Sequence, residues 1–146
     1  MSGAIEKFDN KAVYLDTAPL IYYLEENASH INYLDQLFKK NEVGEFIFYT
    51  SVVTIAEVLT LPIRQGNLAL ADQYQYFLSE TETLKLIPVN ITIARLAADL
   101  RAKYGIRMPD AIYLATALEI KADWFLTNDI ALKKIKELNV ITLAHG

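Results

Sequence analysis

Cysteine is absent from the 146-residue sequence. Its absence excludes disulfides, thiolate metal sites and a cysteine nucleophile. Histidine occurs only as His30 and His145, so a metal ion would have to bind through oxygen ligands or these two rings. No stretch approaches 18 uninterrupted apolar residues, and the opening "MSGAIEKFDNK" lacks the basic start, apolar middle and small-residue cleavage site of a secretory signal. A soluble cytoplasmic protein without membrane association is the expectation. There is no glycine-rich phosphate loop, which argues against nucleotide binding of the P-loop or dinucleotide-fold kind. Basic residues are in deficit: 14 Lys and Arg stand against 18 Asp and Glu, a net charge of −4. That balance argues against a broad basic coat for nucleic acid, although it is compatible with a local basic groove beside an acidic pocket. Repeats, low-complexity tracts and linkers are also missing, and with 53% hydrophobic residues the chain suits one domain that buries most of its apolar surface.

What is present alternates. Short β-rich runs are separated by longer segments of helical period, the signature of βαβ units and a parallel sheet covered on both faces. "AVYLD" (12–16) reads as the first strand, and "APLIYYLEE" as a helix with Pro19 in its first turn. "ASHINYLDQLFKKNE" carries Ile31, Leu34, Leu37 and Phe38 on one stripe of a second helix. After the strand "EFIFYT", the segment "SVVTIAEVLTLP" reads as a helix capped by Ser51 and closed at Pro62. A helix following the turn at Gly66, the strand "LKLIPV", a helix from an Asn90 cap to a Gly105 stop, and the helix "MPDAIYLATALEIKA" come next. The strands "WFLT" and "NVITLA", flanking a short helix "DIALKKIKEL", complete the pattern. Residues 1–10 are expected to form a loosely ordered lead, and residues 11–146 the single domain.

Most acidic residues lie in polar surroundings and read as solvated helix faces. Four do not. Asp16 separates two apolar runs at the C-terminal end of the first strand, the edge at which a parallel α/β sheet binds ligands. A buried ionised carboxylate is costly there unless it is paired, hydrogen-bonded or bound to a metal. Asp129 stands just past "WFLT" at the same edge, where a helix N-cap is an equally good account. Glu57 is the only charge in "SVVTIAEVLTL", a helix apolar on nearly every side and therefore expected to be buried all round; a buried Glu satisfied by Arg or a hydroxyl is the alternative. Asp110 falls in the first turn of "PDAIYLATAL", where the helix dipole alone favours an anion. Four such carboxylates converging without a cation would repel one another and raise their pKa values. A divalent cation removes the conflict, and hard oxygen ligands select Mg²⁺ or Mn²⁺.

The segments "VYLDTAPLIYYLE", "SVVTIAEVL", "MPDAIYLATAL" and "FLTND", in this order and spacing, resemble the PIN domain, and most closely the toxin ribonucleases of bacterial VapBC toxin–antitoxin systems. The resemblance spans about residues 12–143. It implies a three-layer α/β/α fold with a central parallel sheet of four to five strands. It also implies a metal-dependent endoribonuclease whose acidic pocket is Asp16, Glu57, Asp110 and Asp129, supported by Thr17 and Thr127. A homodimer is implied too, together with a small antitoxin whose tail plugs the acidic groove. In such a site one or two Mg²⁺ (or Mn²⁺) ions lower the pKa of bound water, orient it in line with the scissile phosphate and neutralise the leaving oxygen. Asp16, Glu57 and Asp110 are expected to hold the principal ion, and Asp129 a second ion or the attacking water. Because water attacks rather than the ribose 2′-hydroxyl, the products should carry 5′-phosphate and 3′-hydroxyl ends.

Other chemistries fit less well. A metal-free nuclease usually needs two histidines, and surface positions explain His30 and His145. An aspartyl phosphotransferase places a second acid two residues beyond the first, where this chain has Ala18; no acidic pair precedes Asp16 as in a response regulator. Two rivals stay within the same fold: a catalytically idle PIN-like protein-binding module, and a PIN nuclease of RNA processing not linked to an antitoxin. RNA would meet basic residues at the rim, for which Arg64, Arg95, Arg101, Lys103 and Arg107 are candidates, with solvated helix charge as the bland account of each. Tyr22, Tyr23, Tyr74 and Tyr76 are candidates for stacking on bases or packing against another subunit.

Overall fold

The computed structural model describes residues 5–143. Strand β1 (Ala12–Leu15) is followed by helices α1 (Thr17–Leu24) and α2 (Ile31–Glu42), then β2 (Ile47–Ser51). Helices α3 (Val53–Arg64) and α4 (Leu68–Glu80) lead to β3 (Leu84–Ile87), and α5 (Ile91–Tyr104) and α6 (Met108–Glu119) lead to β4 (Trp124–Thr127). A 3₁₀ turn (Ile130–Lys134) precedes β5 (Val140–Thr142). All five strands are parallel, in the order β3-β2-β1-β4-β5.

The layering follows from strand alternation, since successive side chains leave a sheet on opposite faces. Val13, Leu15, Phe48 and Leu126 point to one face, where they meet Leu20, Leu37, Val58 and Leu78 from α1 to α4. Tyr14 and Phe125 point to the other, stacked with ring centroids 5.0 Å apart, and meet Leu100, Ala111 and Leu114 from α5 and α6. The result is the expected three-layer α/β/α arrangement. Chain order sets the binding edge: β1, β2 and β3 advance in one direction, and the connection to β4 then crosses back past β1. The strand order therefore reverses between β1 and β4, and a crevice opens at their carboxyl ends.

Several expectations need correction. The α3 helix does not close at Pro62 but runs to Arg64; Gln65 N donates to the Leu61 carbonyl at 3.0 Å, and Gly66 then reverses the chain at φ +74°. Pro62 has no N–H to donate to the preceding turn, but the donors that follow it carry the helix on for a further two residues. Ser51 is the last residue of β2, yet its hydroxyl still accepts from Val53 N at 3.1 Å. Nor is α3 buried all round: Thr54, Val58, Leu59 and Pro62 are buried, whereas Glu57, Leu61 and Ile63 are exposed. The helix lies on the sheet by one face, and its outer apolar residues have no layer above them. The expected helix "DIALKKIKEL" is a single 3₁₀ turn, because Leu132 and Ile135, three apart, are the residues it buries. Within the N-terminal lead, Ile5 and Phe8 are buried, and Phe8 meets Phe46 and Trp124 at 5.8 and 6.0 Å; residues 1–4 lie outside the described residues. No helix among the described residues is long and apolar enough to cross a membrane.

Candidate active site

Each of the four singled-out acids reaches the crevice by a different local route. Asp16 follows β1 directly and keeps an extended backbone, which makes it, rather than Thr17, the N-cap of α1. Its Oδ1 accepts from Thr17 N at 2.8 Å and its Oδ2 from Thr127 Oγ1 at 2.6 Å, leaving the residue 8% exposed. Asp129 follows β4 and caps the 3₁₀ turn, Oδ1 accepting from Ala131 N at 3.0 Å while its own N–H donates to Thr127 Oγ1 at 3.1 Å. Thr127 thus ties the end of β4 to the end of β1 through Asp16 and steadies the turn that carries Asp129. Asp110 occupies the first turn of α6, and Arg107 Nε lies 3.4 Å from its Oδ2. Glu57 rises from the exposed side of α3, and its Oε1 accepts from Thr17 Oγ1 at 2.9 Å and from the Tyr113 hydroxyl.

All four carboxylates line one open cleft of about 440 Å³, with Arg107 the one basic residue in its wall. Their proximity is felt electrostatically. Burial pushes Asp16 up to about 6, the hydrogen bonds from Thr127 and Thr17 oppose the rise, and the charges of Asp110 and Glu57 add to it. Burial also raises Asp110, with Arg107 pulling it down and Asp129 and Glu57 pushing it up. Tyr113 is raised as well, by burial and then by the Glu57 carboxylate, so its hydroxyl stays a donor throughout the physiological range.

The donor set fits a hard divalent cation. Only oxygen ligands are on offer, and four formal negative charges face one guanidinium. Among the described residues, Glu57 Oε2, Asp110 Oδ1 and Asp129 Oδ2 accept no hydrogen bond from the protein, so three of the acids keep an oxygen free. As they stand, no three acidic or histidine side chains among the described residues form a ready-made ion site.

Of the five basic residues expected at the rim, only Arg107 lines the cleft. Arg95 pairs with Asp99 at 3.4 Å, Lys103 with Glu137 at 3.0 Å, and Arg101 Nε donates to the Ile106 carbonyl at 3.2 Å. Arg64 ends α3, exposed. Tyr22 lies nearer the site: its ring stacks on His30 at 5.0 Å, and its hydroxyl accepts from Asn128 Nδ2, a cleft residue, at 3.1 Å. Tyr23 stacks on Phe38 in the core, and Tyr76 is exposed. His145 lies outside the described residues. Sequence reasoning missed Asn128, Thr54 and Tyr113. The last had a signal, since it stands three residues after Asp110 and so shares its face of α6.

The family model of the PIN domain matches residues 13–138. No curated protein matches the chain in sequence. Among solved structures, the chain is similar to a chain of VapBC2 from Rickettsia felis bound to a DNA fragment from their promoter, at 19% identity and a TM-score of 0.71 over 90% of this chain and 98% of that one. It is also similar to a chain of a toxin–antitoxin complex from Klebsiella pneumoniae, at 24% identity and 0.68 over 90% and 97%. A third likeness is to VapC20 of Mycobacterium tuberculosis, a sarcin–ricin loop cleaving toxin, at 14% identity and 0.60 over 77% and 86%. At these identities the shared property is the fold.

Proposed function

The chain belongs to the PIN domain family, and on that footing we propose that it is a Mg²⁺- or Mn²⁺-dependent endoribonuclease, the toxin of a toxin–antitoxin pair. The observation that carries the reading is the cleft between β1 and β4, where carboxylates from four separate elements face a single arginine. A structural role would neutralise such acids one by one, whereas a cation site leaves them charged and oriented. The likeness to chains from toxin–antitoxin complexes supports an antitoxin partner; a homodimer working in the cytoplasm completes the proposal.

When bound, the ion supplies an activated water and neutralises charge developing on the leaving oxygen. The chain's own residues hold and aim. Thr127 and the Thr17 amide fix the Asp16 carboxylate in a nearly dry position. Asp110, anchored at the start of α6, and Glu57, leaning in from α3, complete the principal ion site. Asp129, whose Oδ1 is held by Ala131, presents its other oxygen to a second ion or to the attacking water. Arg107 is 78% exposed beside Asp110, so it is free to meet a substrate phosphate at the rim. The test is RNA cleavage with and without Mn²⁺ in the parent and in Asp110→Asn. Ends carrying 5′-phosphate and 3′-hydroxyl groups, produced only by the parent with Mn²⁺, support the reading; 2′,3′-cyclic phosphate ends contradict it.

A further inference from the structure

A run of buried hydroxyls ends on one oxygen of Glu57. Thr50 Oγ1 donates to the Leu15 carbonyl at 2.9 Å and lies 3.0 Å from Thr54 Oγ1, which in turn lies 3.3 Å from Thr17 Oγ1. Thr17 then donates to Glu57 Oε1 at 2.9 Å, and the Tyr113 hydroxyl donates to the same oxygen from α6. Thr17, Thr50, Thr54 and Tyr113 are all less than a tenth exposed, yet the residue they converge on stands on the exposed side of its helix. A glutamate there has three free torsions and would sample many rotamers. Two donors on one carboxylate oxygen remove that freedom, and hydrogen bonds to a charged acceptor are the strong ones.

We propose that Tyr113 is a positioning residue for the cleft: with Thr17 it pins Glu57 Oε1, so that Oε2 is the oxygen left to meet a divalent cation beside Asp110. The inference rests on the reading of the cleft as a cation site. Tyr113 suits the role because its ring is anchored in the second core, 6.3 Å from the Tyr14 ring, and moves only with α6. Asp110 begins that same helix three residues earlier, on the same face. One rigid element therefore supplies one acid and sets the position of another that comes from the opposite layer. Partners of this kind, beyond the ligands themselves, typically change metal affinity by about 10–100-fold.

Tyr113→Phe removes the hydroxyl and keeps the ring. Calorimetric titration of Mn²⁺ into metal-free protein should show about tenfold or weaker binding in the variant, with an unchanged melting temperature in chelator. RNA cleavage at low Mn²⁺ should fall and be restored by raising Mn²⁺ about tenfold, a rescue that loss of packing would not show. Unchanged Mn²⁺ affinity in a folded Tyr113→Phe overturns the proposal, as does a cleavage defect that added Mn²⁺ leaves in place. Should that variant not fold, Thr17→Val removes the other donor to Oε1, and equal Mn²⁺ affinity there overturns the proposal too. A parent that binds no Mn²⁺ at all is a different result: it removes the cation site itself, and the role of Tyr113 with it.

Discussion

The two ends of the sheet treat negative charge in opposite ways. At the amino ends of the strands Asp9 and Glu45 sit beside an ammonium: Lys40 Nζ lies 2.9 Å from Asp9 and 2.6 Å from Glu45. At the carboxyl ends four acids share one guanidinium, which lies 3.4 Å from only one of them. Their other partners are hydroxyls and amides, which orient a carboxylate without cancelling its charge. Acids neutralised by a lysine at one end call for no further cation. Charged, oriented acids at the other are what a cation requires.

The largest effect expected from this contrast is on cleavage. Asp110→Asn should reduce Mn²⁺-dependent RNA cleavage by more than about 100-fold, the upper end of what even partners of metal ligands cost, while Asp9→Asn leaves it unchanged. A gel assay of both variants decides whether the two ends differ in function or only in appearance.

Next in size is a pH dependence. Asp16 carries a pKa of about 6 in the fold against an ordinary 3.8, so between those values the folded state holds a proton that the unfolded chain has released. The contribution of Asp16 to the stability of the metal-free protein is therefore fully present below about pH 4 and is lost as pH rises through about 6, a fall of about 3 kcal/mol from this group. Asp110, shifted in the same direction, adds to the slope. Chemical denaturation from pH 4 upward, read as the difference between the parent and Asp16→Asn, measures the Asp16 part.

A comparable gain should come from the ion. At about 100 times its Kd, Mn²⁺ adds about 2.7 kcal/mol, a rise in Tm of roughly 5–10 °C for a chain of this size. Asp16→Asn should lose most of that rise in the same thermal melt. The smallest effect belongs to the opposite end, where Lys40→Met should leave both melting and cleavage unresolved from the parent, because exposed ion pairs contribute little.

How far the sequence anticipates this depends on the kind of signal. The succession of strands and helices and their layering were legible, because apolar runs such as "AVYLD" and "WFLT" alternate with helices whose caps, Asn90 and Gly105 among them, stand where expected; the order of the strands in the sheet was not. Asp16 and Asp129 were legible as acids at the binding edge, and both also serve as caps, so for Asp129 the two readings were never exclusive. Glu57 was singled out for a wrong reason: it is exposed in its helix, and what marks it is the pair of hydroxyls it accepts from. Charge alone gave a poor guide to the rim: the i,i+4 spacing of Arg95 and Asp99 was there to be read, whereas the partner of Lys103, Glu137, lies 34 residues away. Tyr113 was hidden because a tyrosine in an apolar helix reads as core, and its ring is core; only the hydroxyl reaches the cleft.

Anomalous diffraction from a crystal grown with Mn²⁺ tests the central claim most directly. The expected result is a peak in the cleft within coordination distance, about 2–2.3 Å, of Asp16 and of at least one oxygen from Glu57, Asp110 or Asp129. A cleft without such a peak, its carboxylates hydrogen-bonded as before and any Mn²⁺ bound elsewhere, would contradict the account.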